Sequence, residues 1–147
     1  MSEGAAEPEL VMRFPLLGGA FLMAGRAALL VKRALEEAGI EPALVRRAGV
    51  CAYEAEMNVV IYALSGSLTL ELDQQQVRII AQDRGPGIED VALALTPGYT
   101  TASEKVRSLG FGAGMGLPNI RAQADELHIE STPGQGTRLV MVLRRSG

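Results

Sequence analysis

The spacing of apolar positions divides the chain into alternating short extended runs and longer helical ones. Residues 10–16 (L-V-M-R-F-P-L) read as a strand that ends at Pro15, and Gly18-Gly19 breaks the chain after it. From residue 20 to about residue 38 apolar side chains recur at helical spacing, closed by Gly39. Pro42 suits the first turn of a second helix, which runs to about Leu64 and stops at Ser65-Gly66. Two β-rich runs, 67–72 and 77–81, flank Asp73-Gln74-Gln75-Gln76 in a hairpin pattern. Residues 83–87 follow as a loop, then a short helix from about 89 to 95. The stretch 96–116 is long, polar and glycine-rich, and connections of that size inside a domain are usually functional. A helix over 117–125 leads to strands at 127–131 and 137–144, joined by Thr132-Pro133-Gly134-Gln135-Gly136. This order predicts an α/β (α+β) two-layer sandwich, a mixed sheet with helices on one face. Residues 1–9, small and acidic without periodicity, read as a flexible start, and 10–147 as a single domain.

Composition narrows the partners. The chain has 147 residues, enough to bury a core, and at 48% hydrophobic and 21% charged it is ordinary for a soluble domain. A net charge of −3 with no basic stripe argues against nucleic acid. The stretch 16–31 is interrupted by Arg26 and falls short of the ~20 apolar residues a membrane span needs, and Glu3, Glu7 and Glu9 precede it where a signal peptide carries basic residues. The single cysteine, Cys51, excludes an internal disulfide framework and reads as a small buried hydrophobe, with the cytoplasm as the default compartment.

Four short pieces carry candidate chemistry. In E-A-E-M-N, Glu54 and Asn58 stand one helical turn apart on one face, with Cys51 and Tyr62 extending the stripe. An amide oxygen suits Mg²⁺, which leans on substrate phosphates for its remaining ligands, and a carboxylate one turn away is placed to accept a proton. Alone, the pair reads first as a solvated helix face. In D-R-G-P-G, Asp83 closes an apolar strand beside Gly85 and Gly87, so a flat ring could approach and donate an amine hydrogen to it; the same residues make an ordinary turn. Gly110, Gly112, Gly114 and Gly116 alternate ahead of a helix near Leu117, which offers successive backbone N–H groups to phosphate or else serves as a hinge. Lys105 and Arg107 lie in the same loop, within reach of phosphates or simply solvated. Thr137 opens the last strand after Gly136, suited to a nucleotide contact or only to β structure. His128, the one histidine, falls on a strand and reads as structural or surface rather than catalytic.

In this order the pieces resemble the N, G1, G2 and final glycine-threonine boxes of the GHKL (Bergerat-fold) ATP-binding superfamily, which gyrase, heat-shock chaperone ATPases, MutL-type proteins and histidine kinases share. Within it the chain is similar to the small single-domain anti-sigma-factor serine/threonine kinases, most closely their stressosome switch-kinase branch. That likeness rests on E-A-E-M-N-V-V-I-Y-A, D-R-G-P-G-I, G-x-G-A-G-M-G-L-P and I-E-S-T-P-G-Q-G-T. Tyr62 agrees with the switch branch, where the sporulation-type kinases resemble one another in a histidine. The resemblance implies ATP and Mg²⁺ as cofactors, with Asn58 on the metal and Asp83 on the adenine amine. Gly85, Gly87 and Ile88 would shape the base pocket, with Thr137 against the nucleotide. Lys105, Gly110, Gly112, Gly114, Met115, Gly116 and Leu117 would belong to the phosphate-covering lid, and Glu54 would activate a serine or threonine hydroxyl. The implied partner is a STAS-domain antagonist protein, with a sigma factor or other regulator downstream, and a homodimer is an assembly open to such kinases. Two other readings of the same boxes are a nucleotide-gated binding protein without phosphotransfer and a detached histidine-kinase catalytic domain.

Overall fold

A computed structural model describes residues 8–104 and 114–146. The chain runs through β1 (Leu10–Leu17), α1 (Arg26–Glu37), α2 (Pro42–Tyr62), β2 (Ser65–Leu72), β3 (Gln76–Arg84), the short α3 (Val91–Ala94), α4 (Gly116–Gln123), β4 (Glu126–Thr132) and β5 (Gly136–Arg144). The strands form one sheet in the spatial order β1-β2-β3-β5-β4. Its inward face packs on the helices, giving the two-layer α/β sandwich expected.

The sheet itself is not mixed: every pairing among the described strands is antiparallel. Two connections explain this. α1 carries the chain away from the end of β1 and α2 returns it, where the Gly18 and Gly19 N–H groups donate to the Leu64 and Val60 carbonyls at 2.9 and 2.8 Å. β2 therefore starts where β1 stopped and runs the other way. α4 then returns the chain so that β4 runs in the direction of β3, but β5 inserts between them and pairs antiparallel with both.

Alternation places Leu68, Leu70 and Leu72 of β2 and Val77, Ile79 and Ala81 of β3 on the inner face, with Leu139, Met141 and Leu143 of β5. They meet Val31 and Leu35 of α1, Leu44 and Ala48 of α2 and Ile120 of α4. Each Val, Leu, Ile or Met side chain among them contributes about 1.5–3 kcal/mol by leaving water.

The helical pattern over 20–38 is cut at Gly25. A 3₁₀ turn at Phe21–Met23 precedes it, and α1 begins only at Arg26, because Gly25 takes φ +92°. With no side chain at that N-cap, α1 is capped from another helix. Glu56, only 2% exposed, accepts the Ala28 N–H on Oε1 at 2.9 Å and the Ala27 N–H on Oε2 at 3.3 Å. A buried carboxylate is tolerable there because two N–H groups and the positive end of the helix face it. At the far end of α4, Arg47 donates to the Gln123 carbonyl at 2.7 and 3.0 Å and to Asp125 at 3.2 Å, which fixes how α4 lies on α2.

Candidate functional site

The C-terminal half of α2, the end of β3 and the start of α4 enclose a cleft of about 620 Å³. Of the sequence-predicted residues, Glu54, Asn58, Asp83, Gly87, Ile88, Gly114, Met115, Gly116, Leu117 and Thr137 line it. Gly85 is not on its wall; a Cβ there would meet the Ala63 Cα at 2.9 Å, so Gly85 lets β3 pass the end of α2. Lys105, Arg107, Gly110 and Gly112 lie outside the described residues.

Asp83 belongs to β3 rather than to a loop, since the ladder with β2 continues through Gly66 and Asp83 to Ser65 and Arg84. Its Oδ1 accepts the Thr137 N–H at 3.2 Å. Burial pushes the Asp83 carboxyl above the usual range, and that N–H opposes the shift. The start of β5 comes so near that a Cβ on Gly136 would overlap the Asp83 carbonyl. Thr137, 6% exposed, is held through its hydroxyl by Ser131 at 2.9 Å.

Ser131 is a residue the sequence reading passed over. Its hydroxyl accepts the Ile88 N–H at 2.7 Å, so it ties the loop after β3 to the β4–β5 hairpin. The Gly134 N–H donates to the Pro86 carbonyl at 2.7 Å and the Gly85 N–H to Gln135 at 3.1 Å. Gly87, at φ +73°, turns the loop against Thr132, where a Cβ would stand 2.5 Å from a carbonyl oxygen. Two boxes fifty residues apart thus form one hydrogen-bonded wall.

On the opposite wall, Glu54 Oε2 accepts from Asn119 Nδ2 of α4 at 2.6 Å. Its other oxygen lies at the first residue of α4, 3.7 Å from where a Gly116 Cβ would stand. The Asn58 amide lines the cleft and has no hydrogen bond within the described residues. Met115, the N-cap of α4, makes no side-chain hydrogen bond to the helix, and Pro118 has no N–H, so the Gly116 and Leu117 N–H groups are uncapped by its side chain at the cleft. The Gly98 N–H donates to the Gly114 carbonyl at 2.9 Å, and the Tyr62 hydroxyl hydrogen-bonds Thr100 at 2.9 Å, so the segment after α3 is held beside α2.

No cluster of three or more acidic, histidine or cysteine side chains able to hold a metal occurs among the described residues. A single neutral oxygen donor such as Asn58 fits Mg²⁺ only where phosphates complete the ligand set. Cys51 is fully buried and burial pushes its thiol up to about 12, so it packs as a hydrophobe and does not reach the cleft. His128 is exposed on β4 beside Glu126. No helix among the described residues is long and apolar enough to cross a membrane.

The structure is thus a sheet covered on one face by helices, with a cleft between the amide-bearing α2 and the strand-end carboxylate of Asp83. Residues 23–143 match the histidine kinase-like ATPase domain, and the chain belongs to that family. Over 71 residues it is 42% identical to the anti-sigma F factor of Clostridium novyi (strain NT), covering 48% of this chain and 46% of that one. Over 90 residues it is 31% identical to the serine/threonine-protein kinase RsbT of Bacillus subtilis (strain 168), covering 58% and 62%. The chain therefore spans about half to three-fifths of the length of these relatives. The crystal structure of the SiaB-SiaC complex from Pseudomonas aeruginosa contains the same fold, at TM-score 0.60 and 13% identity over 93% of this chain and 90% of that one.

Proposed function

We propose that this chain is an ATP- and Mg²⁺-dependent protein serine/threonine kinase that phosphorylates a STAS-type antagonist protein, and so switches the partners of a sigma factor or other regulator. One observation carries the reading: the Glu54 carboxylate sits at the free N-terminus of α4, one turn along α2 from Asn58 and across the cleft from Asp83. The names of the partly matching relatives, an anti-sigma factor and a serine/threonine kinase, support it.

In this reading Asp83 accepts a hydrogen bond from the adenine amine, in a pocket walled by Gly87, Ile88 and Thr137. The free N–H groups of α4 take the phosphates, with Met115 and Leu117 beside them. Asn58 would hold Mg²⁺, which neutralises phosphate charge. The partner's hydroxyl oxygen forms a bond to the γ-phosphorus as the bond to the β–γ bridging oxygen breaks. That electron pair leaves on ADP, and the hydroxyl proton passes to Glu54. Asn119 holds the carboxylate in place through Oε2 and leaves the other oxygen for the proton.

The test is incubation with γ-labelled ATP, Mg²⁺ and a purified STAS-domain protein. Label on serine or threonine is expected, and Glu54→Ala lowers the rate by about 10²–10⁴-fold with nucleotide affinity unchanged. Equal rates in the variant remove Glu54 as the base. Wild type that binds the partner in a nucleotide-dependent way but transfers nothing is a gated binder instead.

A further inference from the structure

A second cavity lies behind the nucleotide cleft. Gly25 at the N-cap of α1, Leu29 and Lys32 of α1, Arg46 of α2, and Asn119 and Gln123 of α4 line a groove of about 620 Å³. Tyr53 and Glu54 line both this groove and the nucleotide cleft. Glu54 is therefore a partition reached from two sides, and the amide that steadies it, Asn119, belongs to the groove wall.

The groove combines charge and apolar surface in a particular way. Among the described residues neither Lys32 nor Arg46 has a carboxylate within ion-pair distance, whereas the adjacent Arg47 is paired with Asp125. Leu29 and Tyr53 are 46% and 42% exposed there. Gly49, buried in the middle of α2, receives the stem of Lys32. A Cβ at position 49 would stand 2.7 and 2.9 Å from the lysine Cδ and Cγ. Glycine inside a helix is destabilising relative to alanine, so the place where the lysine stem lies down is a costly one to provide. On a chain of net charge −3 this is a local positive site, of the kind that selects and steers an acidic partner.

We propose that this groove docks the partner-protein segment that carries the acceptor hydroxyl, and that this segment is acidic with an apolar anchor. Its carboxylates pair with Lys32 and Arg46, its apolar residue meets Leu29 and Tyr53, and its hydroxyl enters the nucleotide cleft beside Glu54, at the edge the two cavities share. The proposal rests on the kinase reading for the fate of the hydroxyl, but the docking itself does not need transfer to be observed.

The probes are three nine-residue peptides, each with one leucine. One has a central serine with Asp/Glu flanks, one the same serine with Lys flanks, and one the acidic flanks with alanine for serine. Binding is followed by fluorescence polarisation at low and high salt, and transfer with γ-labelled ATP. Wild type is expected to bind both acidic peptides about tenfold or more tighter than the lysine peptide, with the preference fading in salt. Lys32→Glu with Arg46→Glu inverts the preference and leaves adenine-nucleotide affinity within about twofold. Failure of the acidic peptides to bind wild type, or equal affinities in wild type and the double variant, overturns the groove while transfer to a whole STAS-domain protein still stands by itself. Charge-dependent binding of the alanine peptide with no transfer to its serine counterpart or to the whole protein supports the docking site and overturns the kinase reading instead.

Discussion

The N-termini of α1 and α4 start from the same deficiency and end differently. Gly25 and Met115, their N-caps, give no side-chain hydrogen bond to the helix. At α1 the Glu56 carboxylate comes from the neighbouring helix and takes two of the bare N–H groups. At α4 no described side chain does so, and the end opens on the cleft. The first end is closed by the protein's own anion, and the second is uncapped by any described side chain. The first serves stability; under the proposed function the second forgoes a cap where phosphate would bind.

The largest expected break is at the closed end. Glu56→Ala strands two buried N–H groups and should cost about 3 kcal/mol, a fall of roughly 6–12 °C in melting temperature for a domain of this size. Nucleotide affinity measured well below the transition should hold. A shift of under about 2 °C would mean that water caps α1 as well as Glu56 does, and the contrast between the two helices would lose its meaning.

Asp83→Asn comes next and should act in opposite directions on binding and on stability. Loss of the acceptor for the base amine should weaken adenine-nucleotide affinity by roughly 10–100-fold, as for a hydrogen bond to a charged group. Stability without nucleotide moves the other way. The folded carboxyl sits above its unfolded value because of burial, so its contribution is fully present below the unfolded value and lost as pH rises through the folded one. At pH 7 the ionised Asp83 therefore weakens the fold, and the asparagine variant should melt higher. The two curves should converge as pH falls below the carboxylate range, which thermal melts across pH will check.

The smallest effect comes from closing the open end. Met115→Asp places a carboxylate at the N-cap of α4, expected to add about 0.5–1 kcal/mol of stability and to weaken nucleotide binding up to about tenfold. Titration calorimetry with ADP reads the second. A variant more stable and equally able to bind nucleotide would separate the bare helix end from phosphate recognition.

What the sequence made readable was local. Glu54 and Asn58 share a face because a helix period is a property of five residues, and Asp83 beside glycines is visible for the same reason. Glu56 stands two positions from Glu54 and looks like its equal in E-A-E. Nothing nearby tells that its partners are the N–H groups of residues 27 and 28. Asn119 and Ser131 were likewise unreadable, because each acts on a residue more than forty positions away. The apolar period over 20–38 runs straight through Gly25 and hides the break there. The direction of the sheet turned on where β5 enters: its continuous apolar run Leu139–Leu143, against the alternation of β4, marks an interior strand but does not say which strands flank it.

That placement of β5 bears on how the protein is made. The strand that stands between β3 and β4, and brings Thr137 to Asp83, follows every other described element in the chain. A nascent chain leaving the ribosome can form the α1–α2 pair and the β1–β2–β3 meander early. It cannot close its core or bring the Thr137 N–H to Asp83 until residues 136–144 have emerged. Such long-range pairing folds slowly and leaves apolar strand surface uncovered in the interval. Nucleotide in the cell can therefore reward only the finished molecule, not the growing one.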